Sequence, residues 1–380
     1  MYICIKAIKE GFLYGCRRLI GVDGCFLKGL MGQLFVAVGR DGNNQMLPIS
    51  WAVVEKETSD SWKWFLQQLQ EDLCIGEGLG WALISDMQKG LINAVNTLFP
   101  LIEHRMCARH IYARFGKQFP GKEMQIQFWN TSRATYQPEM QKQLQIMRNV
   151  KGGTKAVEVL LERWPISSWC LACFNDVVQC DVIDNNMCET FNGVLVETRA
   201  KPIISMLEDI RKYVMNRIVV KREYALKWDF DLGPNIVAKL EKERNKCAKW
   251  HIEWNGATSH EVSCDDILSQ VKESYVVGLP NRSCSCGKWD KSGLPNTCSF
   301  MFNGQALRNR RFASRRTKNE ETNHQACRTI EAPNISTTQQ EALEILATQQ
   351  SMTTTESKET PQMSSVKATQ ESMITEHVIS

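Results

Sequence analysis

The sequence predicts an α/β fold with a mixed sheet, and two patterns lead to that prediction. Residues 17–54 alternate short apolar runs with turn signals at positions 23–24 and 41–44, as three consecutive strands of a meander do. Two further short apolar segments run up to Asp86 and to the region of His104, and a helical pattern follows each of them. With one more helix after the third strand, the predicted order is three strands, helix, strand, helix, strand, helix.

The helical part of the prediction depends on caps and on apolar spacing. Thr58 and Ser61 are placed to cap a helix, and its buried face is expected to carry Trp62, Phe65, Leu66 and Leu69. Residues 117–180 lack the alternation of strands and predict a helical insertion. Residues 203–222 predict an amphipathic helix with a basic face, for which a solvated surface is the ordinary interpretation and a DNA-backbone contact the functional one.

Three acidic residues lie where these elements would bring them together. Asp23 and Asp86 each end a short apolar run, and Glu189 lies in the first turn of a predicted helix. A single Asp at a strand end is more often a turn former or a helix cap than a ligand. Three carboxylates in one site, however, suit Mg²⁺, which prefers oxygen ligands, and pairs of such ions promote phosphodiester cleavage. These three are therefore the candidate catalytic residues.

The segments around these residues resemble one family in the same order along the chain, which is more specific than any single motif. They are Leu19–Gly29, Ala37–Gln45, Trp62–Leu66, Ser85–Leu91, His104–His110, Glu189 with Asn192, and Lys201–Glu208. Together they are similar to the catalytic domain of plant Mutator-like (MuDR-type) transposases, over roughly residues 1–300.

The resemblance implies a ribonuclease H-like mixed sheet and a DDE-type transposase core that cleaves and transfers DNA strands. In that family pattern Asp23 would bridge two Mg²⁺ or Mn²⁺ ions, Asp86 would hold one of them and Glu189 the other. The implied partner is double-stranded DNA carrying the terminal inverted repeats of a transposon. Self-association and a location in the nucleus are expected as well.

Two other functions stay open on the sequence alone. One is a domesticated DNA-binding regulator, similar to the far-red-response transcription factors, and the other is an inactive, truncated relic. The three carboxylates favour the active core or the relic, because a regulator has no need of metal-binding acids. The family usually carries a DNA-binding region ahead of the catalytic domain, whereas residues 1–22 alone precede Asp23 here, so recognition of transposon ends is not expected in this polypeptide.

Cys107 and His110 form a Cys-x-x-His pair at helical spacing, and the same pair recurs in the resembled family. Zinc binding and a purely structural role are both open for this pair, since two ligands do not complete a tetrahedral site.

Near its C-terminal third the chain resembles a SWIM-type zinc finger, which is expected as Cys-x-Cys followed by Cys-x-His. Cys284, Cys286 and Cys298 match three of the four ligands. Two extra residues precede the third cysteine, and Phe300 stands where histidine is expected. The sequence therefore predicts either a zinc site completed by His324 or Cys327, or a degenerate remnant.

Composition sets the remaining expectations. The chain has 380 residues with 43% apolar content, enough for a sizeable core, and its 15 cysteines are expected to be reduced thiols. No apolar run is long enough to cross a membrane, so no membrane partner is expected. The net charge of +4 permits a nucleic-acid partner without establishing one.

Boundaries between segments follow from the same patterns. The chain divides into a lead-in at 1–16, a catalytic domain at 17–225 with the insertion at about 117–180, a helical connector at 226–270, a zinc-finger-like segment at 271–303, and a tail at 304–380. The tail begins with a basic run at 308–318, which predicts a nuclear-import signal or a phosphate-binding arm, and continues as a low-complexity segment expected to be disordered.

Overall fold

A six-stranded mixed sheet lies at the centre of the computed structural model, which describes residues 1–301 except for positions 30, 230, 255–257 and 267–270. Its strands are β1 (Tyr2–Cys4), β2 (Leu19–Phe26), β3 (Gln33–Arg40), β4 (Met46–Val54), β5 (Ala82–Ser85) and β6 (Glu103–Met106). They lie in the order β1-β4-β3-β2-β5-β6. The first four pair antiparallel, whereas β5 pairs parallel with both β2 and β6.

Helices connect the strands of this sheet and continue after its last strand. In chain order they are α1 (Lys6–Gly15), α2 (Ser59–Leu73), α3 (Lys89–Leu98), α4 (Ala108–Gln118), α5 (Lys122–Arg133), α6 (Gln137–Asn149), α7 (Gly153–Arg163), α8 (Asn186–Val194), α9 (Ile203–Ala225), α10 (Pro234–Asn245), α11 (Lys288–Ser292) and α12 (Thr297–Phe300). From β2 to α4 the order is the predicted one. Among the described residues, none of the helices is long and apolar enough to span a bilayer.

The alternation of side chains along β2 divides the core into two layers. Ile20 and Val22 point to the face covered by α2 and α3, while Leu19 points to the opposite face, where α8 and α9 pack. Asp23 has the same parity as Leu19 and so lies on the α8 face. The helix predicted after Thr58 is confirmed, with reciprocal bonds between the backbone and side chains of Thr58 and Ser61.

The predicted helical insertion consists of α5, α6 and α7 followed by two short 3₁₀ turns, Ile166–Ser168 and Leu171–Cys173. It has a core of its own, in which the rings of Phe128 and Trp169 stack with their centroids 5.3 Å apart. The insertion returns the chain to the sheet immediately before α8.

Residues 1–16 differ from the predicted lead-in, because they are an integral part of the sheet layer. β1 pairs with β4, and Ile8 and Phe12 of α1 are buried in the two core layers. The Phe12 ring lies so close to Gly39 that a Cβ at that glycine would be 2.5 Å from it.

The prediction of a helical connector at 226–270 is wrong for its second half. Within the described residues of that range α10 is the one α-helix, and the chain continues as β7 (Trp250–Trp254) and β8 (Ser259–Asp266). With β9 (Val271–Gly278) and β10 (Ser283–Cys284) they form a second, antiparallel sheet in the order β10-β9-β8-β7. The sequence of β7 alternates aromatic or aliphatic residues with His and Glu, a period of two that is typical of a strand.

The tail at 304–380, with its basic run and with His324 and Cys327, lies outside the described residues.

Candidate metal centre

Asp23 and Asp86 are brought together by the parallel pairing of β2 with β5. Gly21 pairs with Ile84, so the same register extended by two residues sets Asp23 opposite Asp86. Two residues are one full period of a strand, and both carboxylates therefore point to the α8 face. The two acids predicted to share a site are therefore neighbours on adjacent strands, with Asp23 inside β2 and Asp86 directly after β5.

The electrostatics of this pair fit a divalent cation. Burial raises the pKa of Asp23 to about 7, and the nearby charge of Asp86 adds to the rise. His110 and hydrogen bonds from the Gly24 backbone and the Asn192 side chain act in the opposite direction. Two crowded, partly buried carboxylates repel each other when both are ionised, and an ion of charge +2 placed between them would reverse that penalty.

Asn192, in α8, fixes one oxygen of Asp23. Its Nδ2 donates to Asp23 Oδ2 at 2.8 Å, and its own Oδ1 lies 3.3 Å from the donating thiol of Cys25. The amide is thereby held in one orientation, and it fixes the orientation of the Asp23 carboxylate in turn.

Helix α8 docks directly on β2, and Gly21 allows it to do so. A Cβ at Gly21 would lie 2.3 Å from Asn185 Oδ1 and 2.6 Å from Met187 Cε. Asn185 Nδ2 also donates to the carbonyl oxygen of Val22 at 2.9 Å, one residue before Asp23. The start of α8 is therefore fixed against the strand that carries the first acid.

Glu189 projects from the first turn of α8 toward the start of α4. Arg109 Nη1 donates to Glu189 Oε2 at 2.8 Å, and His110 Nε2 lies 4.0 Å from Oε1. His110 also acts on the charge of Asp23. Glu189 therefore lies beside His110, the same histidine whose charge lowers the pKa of Asp23.

Two consecutive hydrogen bonds, from His104 to Ser85 and from Ser85 to the backbone of Asp86, hold the chain at this acid. Ser85 Oγ donates to the Asp86 carbonyl oxygen at 2.7 Å, and His104 Nε2 lies 2.8 Å from the same hydroxyl. Because the hydroxyl proton is used toward Asp86, we assign Nε2 of His104 as the donor to Ser85. Burial lowers the pKa of His104 to about 4, so the ring is neutral at neutral pH.

This depressed pKa predicts an acid-sensitive contribution to stability. Protonation of His104 favours the unfolded chain, where its pKa is near the ordinary 6.5, so stability is lost as the pH falls from 6.5 toward 4. The loss is on the order of 3 kcal/mol. In His104→Gln, which keeps a donor but does not titrate, we expect this part of the pH dependence to vanish. Urea unfolding of both proteins between pH 4 and pH 7 checks it, and parallel curves would refute the assignment.

The three cysteines of the zinc-finger-like segment converge. Cys284 in β10, Cys286 just after it and Cys298 in α12 have Sγ atoms within 4.8 Å of one another, and all three are buried. The Sγ atoms of Cys284 and Cys286 are 3.3 Å apart. Hydrogen bonds from Cys286 and then Cys298 lower the pKa of the Cys284 thiol well below its usual range. This donor set fits a thiophilic ion such as Zn²⁺.

The two extra residues before Cys298 build the turn that brings it into the cluster. Asn296 caps α12 by accepting from Ser299 N at 3.1 Å, and its Nδ2 donates to Cys286 Sγ at 2.8 Å. Thr297 Oγ1 donates to Glu243 of α10 at 2.7 Å. Phe300 packs in an apolar cluster with Leu294 and residues of α10, so it fills space where the family pattern has a ligand.

No histidine joins the three thiols within the described residues. Cys286 and Cys298 line a cavity of about 370 Å³ that Tyr136, just before α6, and Tyr275 of β9 also line. A fourth ligand thus has room to approach from this side.

Residues 19–114 match the family model of the MULE transposase domain. The match covers about a quarter of the chain and contains Asp23, Asp86, Cys107 and His110, while Glu189 lies beyond it. It supports a transposase-related function, for which DNA is the natural partner. The search among curated proteins gave no match.

Proposed function

We propose that the chain is a DDE-type transposase core with a ribonuclease H-like sheet, in which Asp23, Asp86 and Glu189 bind Mg²⁺ or Mn²⁺. The observation that supports it best is the alignment of Asp23 with Asp86 on the face where α8 presents Glu189. Its reaction is the cleavage and transfer of DNA strands. Double-stranded DNA with terminal inverted repeats is the proposed substrate, self-association is proposed for joining two ends, and the nucleus is the proposed location.

When bound, two divalent ions would activate the attacking water or 3′-hydroxyl and stabilise the leaving oxygen. Asp23, Asp86 and Glu189 would hold and orient them. Asp23 is oriented by the Asn192 amide, which donates to its Oδ2. Asp86 is positioned by the Ser85 hydroxyl at its own carbonyl and by the Gln88 N–H, which donates to its Oδ1 at 3.1 Å.

Glu189 enters the site in a fixed direction as well. Arg109 binds its Oε2, so Oε1 is the atom available to an ion. The three acids are therefore oriented by neutral or cationic partners that stay outside the proposed coordination sphere.

The direct test is metal-dependent cleavage and strand transfer on DNA carrying terminal inverted repeats from neighbouring elements. Wild type is compared with Asp23→Ala in Mg²⁺ and in Mn²⁺. We expect product from the wild type alone. Product from a folded Asp23→Ala protein would refute the assignment of Asp23, and no product from a folded wild type would favour the regulator or the relic.

We also propose that Cys284, Cys286 and Cys298 bind Zn²⁺, as in a SWIM-type finger. Their convergence around one point, with the Asn296 amide donating to Cys286 Sγ, supports the proposal. His324 and Cys327 are the candidates for the fourth ligand.

Cys298→Ser is expected to remove one zinc ion per chain, because two thiolates do not hold zinc tightly at neutral pH. Metal analysis after dialysis against a weak chelator measures this. Cys16→Ser, a half-buried cysteine at the end of α1, is the matched control and should keep the full zinc content. Equal zinc in both variants would contradict the proposal, and separate His324→Gln and Cys327→Ser proteins identify the fourth ligand.

A further inference from the structure

A second set of possible metal ligands overlaps the carboxylate site. Cys107, His110 and Glu189 each offer one ligand atom, and these three atoms lie within 4.8 Å of one another. Cys107 caps the start of α4, His110 lies in the first turn of that helix, and Glu189 comes from α8. The cluster therefore joins two elements that are distant in sequence.

The chemistry of this cluster differs from that of the three carboxylates. A thiolate, an imidazole and a carboxylate are ligands that Zn²⁺ accepts, whereas Mg²⁺ prefers oxygen alone. Two ligand atoms of a tetrahedral zinc ion are roughly 3.4 Å apart when their bonds are about 2.1 Å long. His110 Nε2 and Glu189 Oε1 are 4.0 Å apart, so a small shift, within side-chain freedom, brings them to that spacing.

The surroundings of Cys107 and His110 support ligation. Cys107 is completely buried, and its sulfur accepts a hydrogen bond from the Asn185 backbone N–H at 3.2 Å, a contact that orients the sulfur. His110 Nδ1 is buried and has no hydrogen-bond partner within the described part of the chain, so no bond from this nitrogen has to break when Nε2 turns toward an ion. Arg109 binds Oε2 of Glu189 and leaves Oε1 directed toward the histidine.

We propose that Cys107, His110 and Glu189 form a zinc site that shares Glu189 with the magnesium site. The shared carboxylate is the part that rests on the proposed function. Zinc bound at this cluster withdraws Glu189 from the catalytic ions, so zinc and magnesium exclude each other at this residue. The expected consequence is that Zn²⁺ inhibits Mg²⁺-dependent strand cleavage at concentrations far below those of Mg²⁺.

The test is the zinc content and zinc affinity of the full chain, measured by competition with a chromogenic chelator. His110→Gln is compared with His251→Gln, an exposed histidine on β7. We expect His110→Gln to lose one zinc ion relative to His251→Gln, however many ions the cysteine cluster holds. Cys107→Ser should show the same loss, and circular dichroism confirms that each variant is folded. Equal zinc in folded His110→Gln, Cys107→Ser and His251→Gln would overturn the proposal.

Asp86→Asn separates this inference from the proposed function. Asp86 is not a member of the zinc cluster, so the variant should keep its zinc while losing cleavage. If the wild type shows no cleavage, the proposed function fails but the zinc measurement still decides the site. If zinc content is insensitive to His110 while cleavage depends on Asp86, only the zinc inference fails.

Discussion

Replacing Asp86 by Asn is expected to lower metal-dependent DNA cleavage by roughly a thousandfold or more, since losing a metal ligand removes several kcal/mol of transition-state stabilisation. The fold should not suffer. Asparagine keeps the size of the side chain and an oxygen that can accept from Gln88 N. The substitution also removes the negative charge of Asp86, which repels the carboxylate of Asp23 and raises its pKa. We therefore expect the free energy of unfolding to stay unchanged or to rise slightly.

Single-turnover cleavage rates and urea unfolding curves measure the two halves of this prediction. Glu162→Gln, an exposed acid in α7, is the matched control and should alter neither quantity. A cleavage rate close to that of the wild type would remove Asp86 from the catalytic set. A large loss of stability would instead mean that Asp86 has a structural role.

Gly21→Ala is expected to be strongly damaging although it adds a single methyl group. That group would collide with Asn185 and Met187, so α8 must move away from β2. The cost in stability is roughly 2 kcal/mol, typical of an overpacked core. Cleavage should fall much further than stability, because the same shift displaces Glu189 and breaks the bond from Asn192 to Asp23.

Gly193→Ala is the control for this substitution, since Gly193 lies in α8 itself and a Cβ there meets nothing within 4 Å. We expect it to raise stability by about 0.5–1 kcal/mol, the usual gain for replacing a helical glycine by alanine. Thermal unfolding measures the stability of Gly21→Ala and Gly193→Ala, and cleavage assays measure their activity. Full activity in Gly21→Ala would show that the docking of α8 does not position the site.

The sequence predicts much of this site because local sequence patterns indicate where strands and helices begin and end. Asp23 and Asp86 each follow an apolar run. The alternation of side chains along these runs and the order of the strands indicate which acids can lie on the same face, and Glu189 follows the start of a helix. The roles of Gly21 and Asn185 could not be read in the same way. Their contact joins segments far apart in the chain, and a glycine inside a strand gives only a general hint of close approach.

The hydrogen bonds from His104 to Ser85 and on to Asp86 could not be predicted from the sequence for a similar reason. Ser85 is the last residue of β5 and His104 is the second residue of β6, and the parallel pairing sets His104 opposite Leu83, two residues before Ser85 on the same face of the sheet. The role of Arg109 is equally hidden in the sequence, because an arginine at the start of a helix is usually solvated. That role depends on the arrival of Glu189 from α8.

The cysteine cluster illustrates the opposite case. Sequence spacing makes Cys298 look misplaced, since two residues separate it from the expected position. Asn296 and Thr297 instead form the cap and the anchor of α12, which set the sulfur beside Cys286. A departure from a family spacing is therefore compatible with the same convergence when the added residues form a turn.

Joint binding of divalent metal by Asp23, Asp86 and Glu189 is tested most directly by anomalous diffraction from crystals grown with Mn²⁺. We expect an anomalous peak in contact with Asp23 and Asp86, with a second peak or shared coordination at Glu189 Oε1. In Asp86→Asn crystals the peak should be lost or much weaker. Well-ordered crystals at millimolar Mn²⁺ with no peak between Asp23 and Asp86 would contradict the proposed metal centre.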